Sequence, residues 1–118
     1  MKAYFINAKH EYIVELNVRD YEHKKELIEA NLLELYPYQI KGNDIWTDEE
    51  AQLKEYSYNF EIDGFVVHGN AVVTSVDDEG ESASVKNLTV QELISRVRFL
   101  GKKHIDHSKL AFRIMEWN

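Results

Sequence analysis

Two short groups of carboxylates are the residues in this sequence best suited to chemistry. The first acidic turn contains Asp48, Glu49 and Glu50, and the second contains Asp77, Asp78, Glu79 and Glu81. Oxygen ligands of this kind bind Ca²⁺ and Mg²⁺, but the spacing does not follow the alternating pattern of an EF-hand loop. Three interpretations remain open for these turns: a surface that binds a protein partner, a cation site, and solvated carboxylates without a ligand.

A pair of histidines offers a different chemistry. His104 and His107 stand three residues apart with Asp106 between them, and imidazole nitrogens together with a carboxylate can bind zinc. A third ligand would have to come from a distant residue such as His68 or Asp77, and two neighbouring lysines repel a cation. A metal-dependent hydrolase is therefore an alternative, and no residue is assigned as a metal ligand.

Basic residues gather behind the second acidic turn and suggest a further alternative. Their side chains could receive the phosphates of a small ligand, so the protein could bind or sequester a nucleotide signal. The candidate residues are Lys86, Arg96, Arg98, Lys102 and Lys103.

Signatures of catalysis are missing from the sequence. It contains no cysteine, which excludes thiol catalysis, disulfides and thiolate metal sites. Its serines lack a nucleophile-elbow context, and its glycines do not form a phosphate-binding loop. We therefore predict that the protein is not an enzyme and uses no cofactor.

The charge of the chain is unevenly distributed. The net charge is −7, and residues 44–85 hold eleven acids and a single base, Lys54. Because phosphate contacts require Lys and Arg, this segment argues against direct binding of nucleic acid. It favours a partner protein with a basic surface, and Tyr56 and Tyr58, interleaved with the acids, are candidates for apolar contacts with that partner.

Hydrophobic periodicity indicates the elements that must position these side chains. Period-two patterns predict strands over residues 2–7, 11–18, 33–40, 44–47, 56–62, 65–67, 71–76, 82–85 and 109–117. We predict one α+β domain over residues 1–118, with a mainly antiparallel sheet of about five to seven short strands and two helices packed on it. No segment is apolar enough for a membrane span or a signal peptide, so we expect a cytoplasmic protein.

Capping residues indicate where the two helices begin. Asp20 is a suitable N-cap for a helix over residues 20–32. Thr89 and Glu92 form a capping box before the second helix, and Gly101 is expected to end it. Pro37 cannot donate to a strand ladder, so the strand that contains it should lie at a sheet edge.

Each acidic turn follows a similar run of residues. Gly42-Asn43 and Gly69-Asn70 both precede a short apolar strand, and an acidic turn comes next. One interpretation places both acidic turns at the same edge of the sheet. The other attributes the similarity to turn and strand residues that recur in any β-rich protein.

The order of these features resembles a family of uncharacterised small proteins found mainly in bacteriophages and other mobile elements. The resemblance concerns mainly residues 42–100. It rests on the N-terminal segment 1–7 and on the segments 47–50, 53–54, 69–73, 77–81 and 88–100, and it does not cover residues 101–118. It departs from the family at Glu50-Ala51 and at Ser75-Val76, where glycine is expected. The family has no established activity, so the resemblance implies no mechanism. It does imply a phage accessory protein that binds a host or defence-system protein, and a homodimer stays open.

Overall fold

The computed structural model describes residues 1–51 and 56–104. Nine strands and two helices lie within them. The predicted strand at residues 109–117 and the candidate ligand His107 lie outside the described residues. In chain order the elements are β1 (Lys2–Asn7), β2 (Tyr12–Asn17), α1 (Tyr21–Ile28), β3 (Leu33–Leu35), β4 (Asp44–Asp48), β5 (Tyr56–Ile62), β6 (Phe65–His68), β7 (Ala71–Val76), β8 (Ser82–Ala83), α2 (Val90–Arg96) and β9 (Val97–His104).

The strands form two antiparallel sheets. The larger has six strands, in the order β2-β1-β7-β4-β3 with β8 paired to β7, and the smaller has three, in the order β6-β5-β9. The prediction of an α+β fold with a mainly antiparallel sheet and two helices is confirmed. β3 ends at Leu35, before Pro37, so the strand predicted over residues 33–40 is too long, but β3 lies at an edge of the larger sheet as predicted.

Strand β7 lies at the centre of the larger sheet. On one face Val73 pairs with Tyr4 of β1 and with Ile45 of β4, and these residues belong to a core shared with the smaller sheet and α2. On the other face Val72 pairs with Phe5 and Trp46, in a second core closed by α1. Both faces of β7 are therefore buried, which suits its run of small and β-branched residues.

Helix α1 is shorter than its sequence pattern predicts. The Asp20 side chain caps it by accepting from the His23 N–H at 2.9 Å. The helix ends at Ile28, because Glu29 adopts a left-handed conformation (φ 62°) and the Ala30 N–H donates back to the Lys25 carbonyl at 3.0 Å. This closure satisfies carbonyls at the helix end and releases the chain into β3.

The end predicted for the second helix is wrong. Thr89 caps α2 as expected, accepting from the Glu92 N–H at 3.1 Å, but the helix ends at Arg96 and the chain continues directly as β9. Val97 and Phe99 pair with residues of β5 and pack on the core, so tertiary pairing outweighs the helical pattern. Gly101 (φ 78°) lies at the irregularity of the β5–β9 register, and does not cap the helix.

The asparagines of the two Gly-Asn units hold distant loops in place. Asn43 is fully buried, and its side chain donates to the Lys86 carbonyl at 2.8 Å and accepts from the Lys86 N–H at 3.0 Å. Asn70 accepts from the Ala8 N–H at 2.8 Å. Asn70 therefore satisfies a buried backbone N–H, and Asn43 anchors the backbone of the loop at Lys86.

We expect the substitution Asn43→Ala to lower the free energy of unfolding by about 2 kcal/mol, because it removes two part-buried hydrogen bonds to the Lys86 backbone. Urea denaturation measures the change. Asn17→Ala, at an exposed position on β2, is the matched control and should cost no more than about 0.5 kcal/mol. Equal losses in the two variants would contradict the bridging role of Asn43.

Candidate functional site

The two acidic turns do not share an edge of the sheet, so that interpretation is wrong. The first turn follows β4 and the second follows β7, and these strands are antiparallel neighbours, with Asp44 paired to Thr74. The ends of antiparallel neighbours point in opposite directions. The two turns are therefore separated by the length of the strands, on the order of 20 Å.

The second acidic turn is organised by its first residue. One oxygen of the Asp77 carboxylate accepts from the N–H groups of Glu79 and Glu81, both at 2.9 Å. The Asp77 N–H donates to the Glu81 carbonyl at 2.8 Å. Asp78, Glu79 and Glu81 are exposed around this frame. Asp77 thus shapes the turn, and the other three carboxylates are presented to solvent.

The first acidic turn is more strongly folded into the protein. Asp48 is buried and accepts from the Glu50 N–H at 2.9 Å, while Glu49 remains exposed. Desolvation raises the pKa of nearby Glu34, and the carboxylates of Glu49 and Asp48 raise it further. The carboxylates of Glu34, Asp48 and Glu49 therefore lie close enough to repel one another, and Asp48 is the buried member of this group.

Two of the basic residues proposed as a phosphate site are already paired with carboxylates. Arg98 forms an ion pair with Glu61 at 2.7 Å, and Arg96 forms one with Asp63 at 3.3 Å. Lys86 is exposed, the Lys102 ammonium lies 6.0 Å from the centre of the Tyr58 ring, and Lys103 follows it in β9.

The two tyrosines predicted to meet a partner lie in β5. Tyr58 is half-buried and packs against the core, and Tyr56 is the cross-strand partner of His104. Larger exposed fractions occur elsewhere among the aromatic side chains, at Tyr21 (40%) and Phe65 (46%). These two residues were missed because their sequence positions resemble those of core residues.

No group of three or more potential metal ligands occurs among residues 1–51 and 56–104. Asp48 and Glu49 of the first acidic turn line a cavity together with His68, but they do not form such a group. Since His107 lies outside this part of the chain, the His104–His107 pair stays a prediction.

The sequence did not reveal a cavity of about 510 Å³ between α1, β4 and β8. Lys24 of α1 lies against it with only 2% of the residue exposed. Its ammonium donates to the Ser82 hydroxyl at 2.7 Å and lies 4.1 Å from the centre of the Trp46 ring. Burial lowers the pKa of Lys24, and Asp44 partly offsets this effect. The available signal was the position of a lysine on the apolar face of α1, between Tyr21 and Ile28.

The aromatic wall of this cavity is fixed from two sides. The indole N–H of Trp46 donates to the Thr74 hydroxyl at 2.9 Å. Tyr21 meets the indole edge to face, with ring centres 6.5 Å apart, and its hydroxyl accepts from the Leu33 N–H at 3.1 Å. Hydrogen bonds and ring contacts therefore hold the Trp46 ring at the Lys24 ammonium, a favourable arrangement for a partly desolvated cation.

A scan against protein-family models and searches of curated proteins and solved structures found no match to this chain. The resemblance to phage and mobile-element proteins therefore stays a prediction. Neither α1 nor α2, the helices of the described residues, has the length and apolarity that a membrane crossing requires.

We expect Lys24→Met to remain folded at neutral pH. Its free energy of unfolding should differ from that of the wild type by less than about 1 kcal/mol, because the cost of burying the ammonium offsets the gain from its hydrogen bond. The pKa of Lys24 is lowered in the folded protein, whereas the unfolded chain has the ordinary lysine pKa of 10.5. Between these two pKa values the unfolded chain binds more protons at this residue than the folded chain. Wild-type stability should therefore rise relative to the variant in that window.

Urea denaturation of both proteins across this pH range measures the trend. The variant supplies the baseline, because it keeps every other titrating group. A difference that stays constant or shrinks as the pH approaches 10.5 would contradict desolvation of the Lys24 ammonium.

Proposed function

We propose that this protein is a non-enzymatic binding protein that docks its second acidic turn on a basic surface of another protein. The observation that carries the proposal is the arrangement of the turn itself. The Asp77 carboxylate accepts hydrogen bonds from the backbone of the turn. Asp78, Glu79 and Glu81 are exposed. Within the described residues, these three carboxylates form no ion pair.

A turn held in one shape has an advantage in recognition. Three carboxylates on a mobile loop would lose conformational entropy on binding, whereas a turn already closed by hydrogen bonds loses less. Like charges held close together also create a local potential that accelerates the approach of a basic partner and weakens with added salt. The proposed interaction is therefore fast and sensitive to salt.

Exposed apolar side chains lie close to the turn and support the same surface. Gly80 and Glu81 line the cavity that also borders Tyr21 and Leu35, which are 40% and 51% exposed. Apolar contacts beside a charged rim are typical of protein interfaces. We propose that Tyr21 and Leu35 supply them, in place of the half-buried Tyr58.

Three other acids of the segment are less available to a partner. Glu61 and Asp63 already pair with Arg98 and Arg96, and Asp48 is buried. The same ion pairs reduce the support for a nucleotide-binding role, because a phosphate would have to displace carboxylates from both guanidinium groups. Protein binding through the second acidic turn is the function that this geometry supports best.

The resemblance to small phage and mobile-element proteins supports a host protein as the partner. In this proposal the protein acts in the cytoplasm of a host cell, and its effect is inhibition of a defence system. A basic groove that normally binds nucleic acid would be a suitable target, since the acidic turn presents a similar density of negative charge.

Affinity capture from a bacterial lysate tests the proposal with the turn variant Asp78→Asn/Glu79→Gln/Glu81→Gln. We expect the wild type to capture a partner that the turn variant loses, because three of the attractive charges are gone. Asp77 is kept so that the turn retains its hydrogen bonds. Purified partner is then used to measure the association rate at several salt concentrations.

The matched control is Glu11→Gln/Glu15→Gln/Glu29→Gln, which makes the same change in net charge at exposed positions away from the turn. This control should capture the partner as well as the wild type does. Equal loss in both triple variants would show that only net charge matters, and equal capture by all three proteins would rule out the turn as the docking surface.

A further inference from the structure

The cavity beside α1 is lined by a buried cation, an aromatic ring and two acids. We call the buried Lys24 its floor, Trp46 its wall, and the more exposed Asp44 and Glu81 its mouth. Its volume of about 510 Å³ is within the range of small-molecule sites. Lys24 lies at the buried end, since only 2% of this residue is exposed. Asp44 and Glu81 also line the cavity, and they are half-buried and exposed, respectively.

The Lys24 ammonium has hydrogen-bonding capacity left over. It carries three N–H donors, and the Ser82 hydroxyl accepts from it at 2.7 Å. The Trp46 ring, 4.1 Å away, stabilises the charge through its π face. Within the described residues, no carboxylate lies within ion-pair distance of this ammonium. An oxygen acceptor that entered the cavity would complete its coordination.

The acids at the mouth differ in what they already bind. Asp44 accepts from the side-chain amide of Gln39 at 2.6 Å, which leaves its second oxygen for another donor. The Glu81 backbone is fixed by Asp77, and its carboxylate is exposed. The mouth therefore offers acceptors for an ammonium group.

We propose that this cavity binds a small zwitterion, an α-amino acid with an apolar side chain. The ligand's carboxylate accepts from Lys24, its ammonium donates to Asp44 and Glu81, and its side chain packs against Trp46 and Leu35.

Charge arrangement favours a zwitterion over a singly charged ligand. A simple anion would meet Lys24 favourably but would pass two carboxylates at the mouth. A simple cation would be attracted to the mouth but repelled by the ammonium at the floor. A ligand that carries both charges can pair its carboxylate with Lys24 and its ammonium with the two acids. An apolar side chain on the ligand adds favourable contacts with the apolar wall.

Isothermal titration calorimetry with three probes tests the proposal. L-Phenylalanine carries both charges, phenethylamine lacks the carboxylate, and 3-phenylpropionate lacks the ammonium. We expect phenylalanine to bind about tenfold or more tightly than either analogue, because each loses a charge-assisted hydrogen bond. L-Leucine extends the test to an aliphatic side chain. Fluorescence of Trp46, measured in a Trp117→Phe background, should change on binding.

Two variants and a control place the ligand in the cavity. Lys24→Met should abolish binding of phenylalanine, whereas Lys25→Met, on the same helix but with its ammonium 3.5 Å from the Glu22 carboxylate, should leave it unchanged. Glu81→Gln, at an exposed position, should weaken the binding of phenylalanine but not the binding of 3-phenylpropionate. This second variant keeps the test decisive if Lys24→Met fails to fold.

If neither phenylalanine nor leucine binds at a concentration of about 10 mM, the proposal is overturned, because a specific site would have a dissociation constant below that concentration. Equal affinities for the three phenyl probes, or an unchanged affinity in the Glu81→Gln variant, would also overturn it. The site does not depend on the proposed partner: Lys24→Met should still capture that partner, so the two proposals fail separately.

Discussion

The burial of β7 on both faces is the constraint on which the rest of the structure depends. Val73 is flanked by Tyr4 and Ile45 on one face, and Val72 by Phe5 and Trp46 on the other. A central strand of this kind needs a cover on each side, because exposed apolar rows would cost roughly 25 cal/mol for each Å² left in water. The smaller sheet with α2 covers one face and α1 covers the other. The layered architecture therefore follows from one strand.

The position of both candidate surfaces follows from the same strand. The second acidic turn begins where β7 ends, and β8 returns along β7 to bring Ser82 against the Lys24 ammonium. Trp46 is held through its neighbour Thr74 on β7. Thus the acidic turn and the cavity are two parts of one end of the larger sheet, and the hydrogen bonds of β7 and β8 give both of them a fixed shape.

Folding rearranges the charge pattern of the chain. The acidic segment and the basic residues behind it are separate in sequence, but β5 and β9 pair side by side, and Arg98 meets Glu61 across the strands. Arg96 meets Asp63 near the same strand ends. Such exposed pairs add little to stability. Because their charges are already paired, these groups are less available to a ligand. Asp78, Glu79 and Glu81 of the second acidic turn, in contrast, are exposed and form no ion pair within the described residues.

Local chemistry in the sequence determined most of the strand pattern and the Asp20 and Thr89 caps, because each depends on neighbours within a few residues. Only the tertiary structure decided that Gly101 lies in a strand, since the pairing of β9 with β5 overrides a helical pattern. It also decided that the acidic turns point in opposite directions, because the antiparallel order of β4 and β7 is a long-range choice. The burial of Lys24 against Trp46 likewise required three distant elements to meet, and no local pattern records such a meeting.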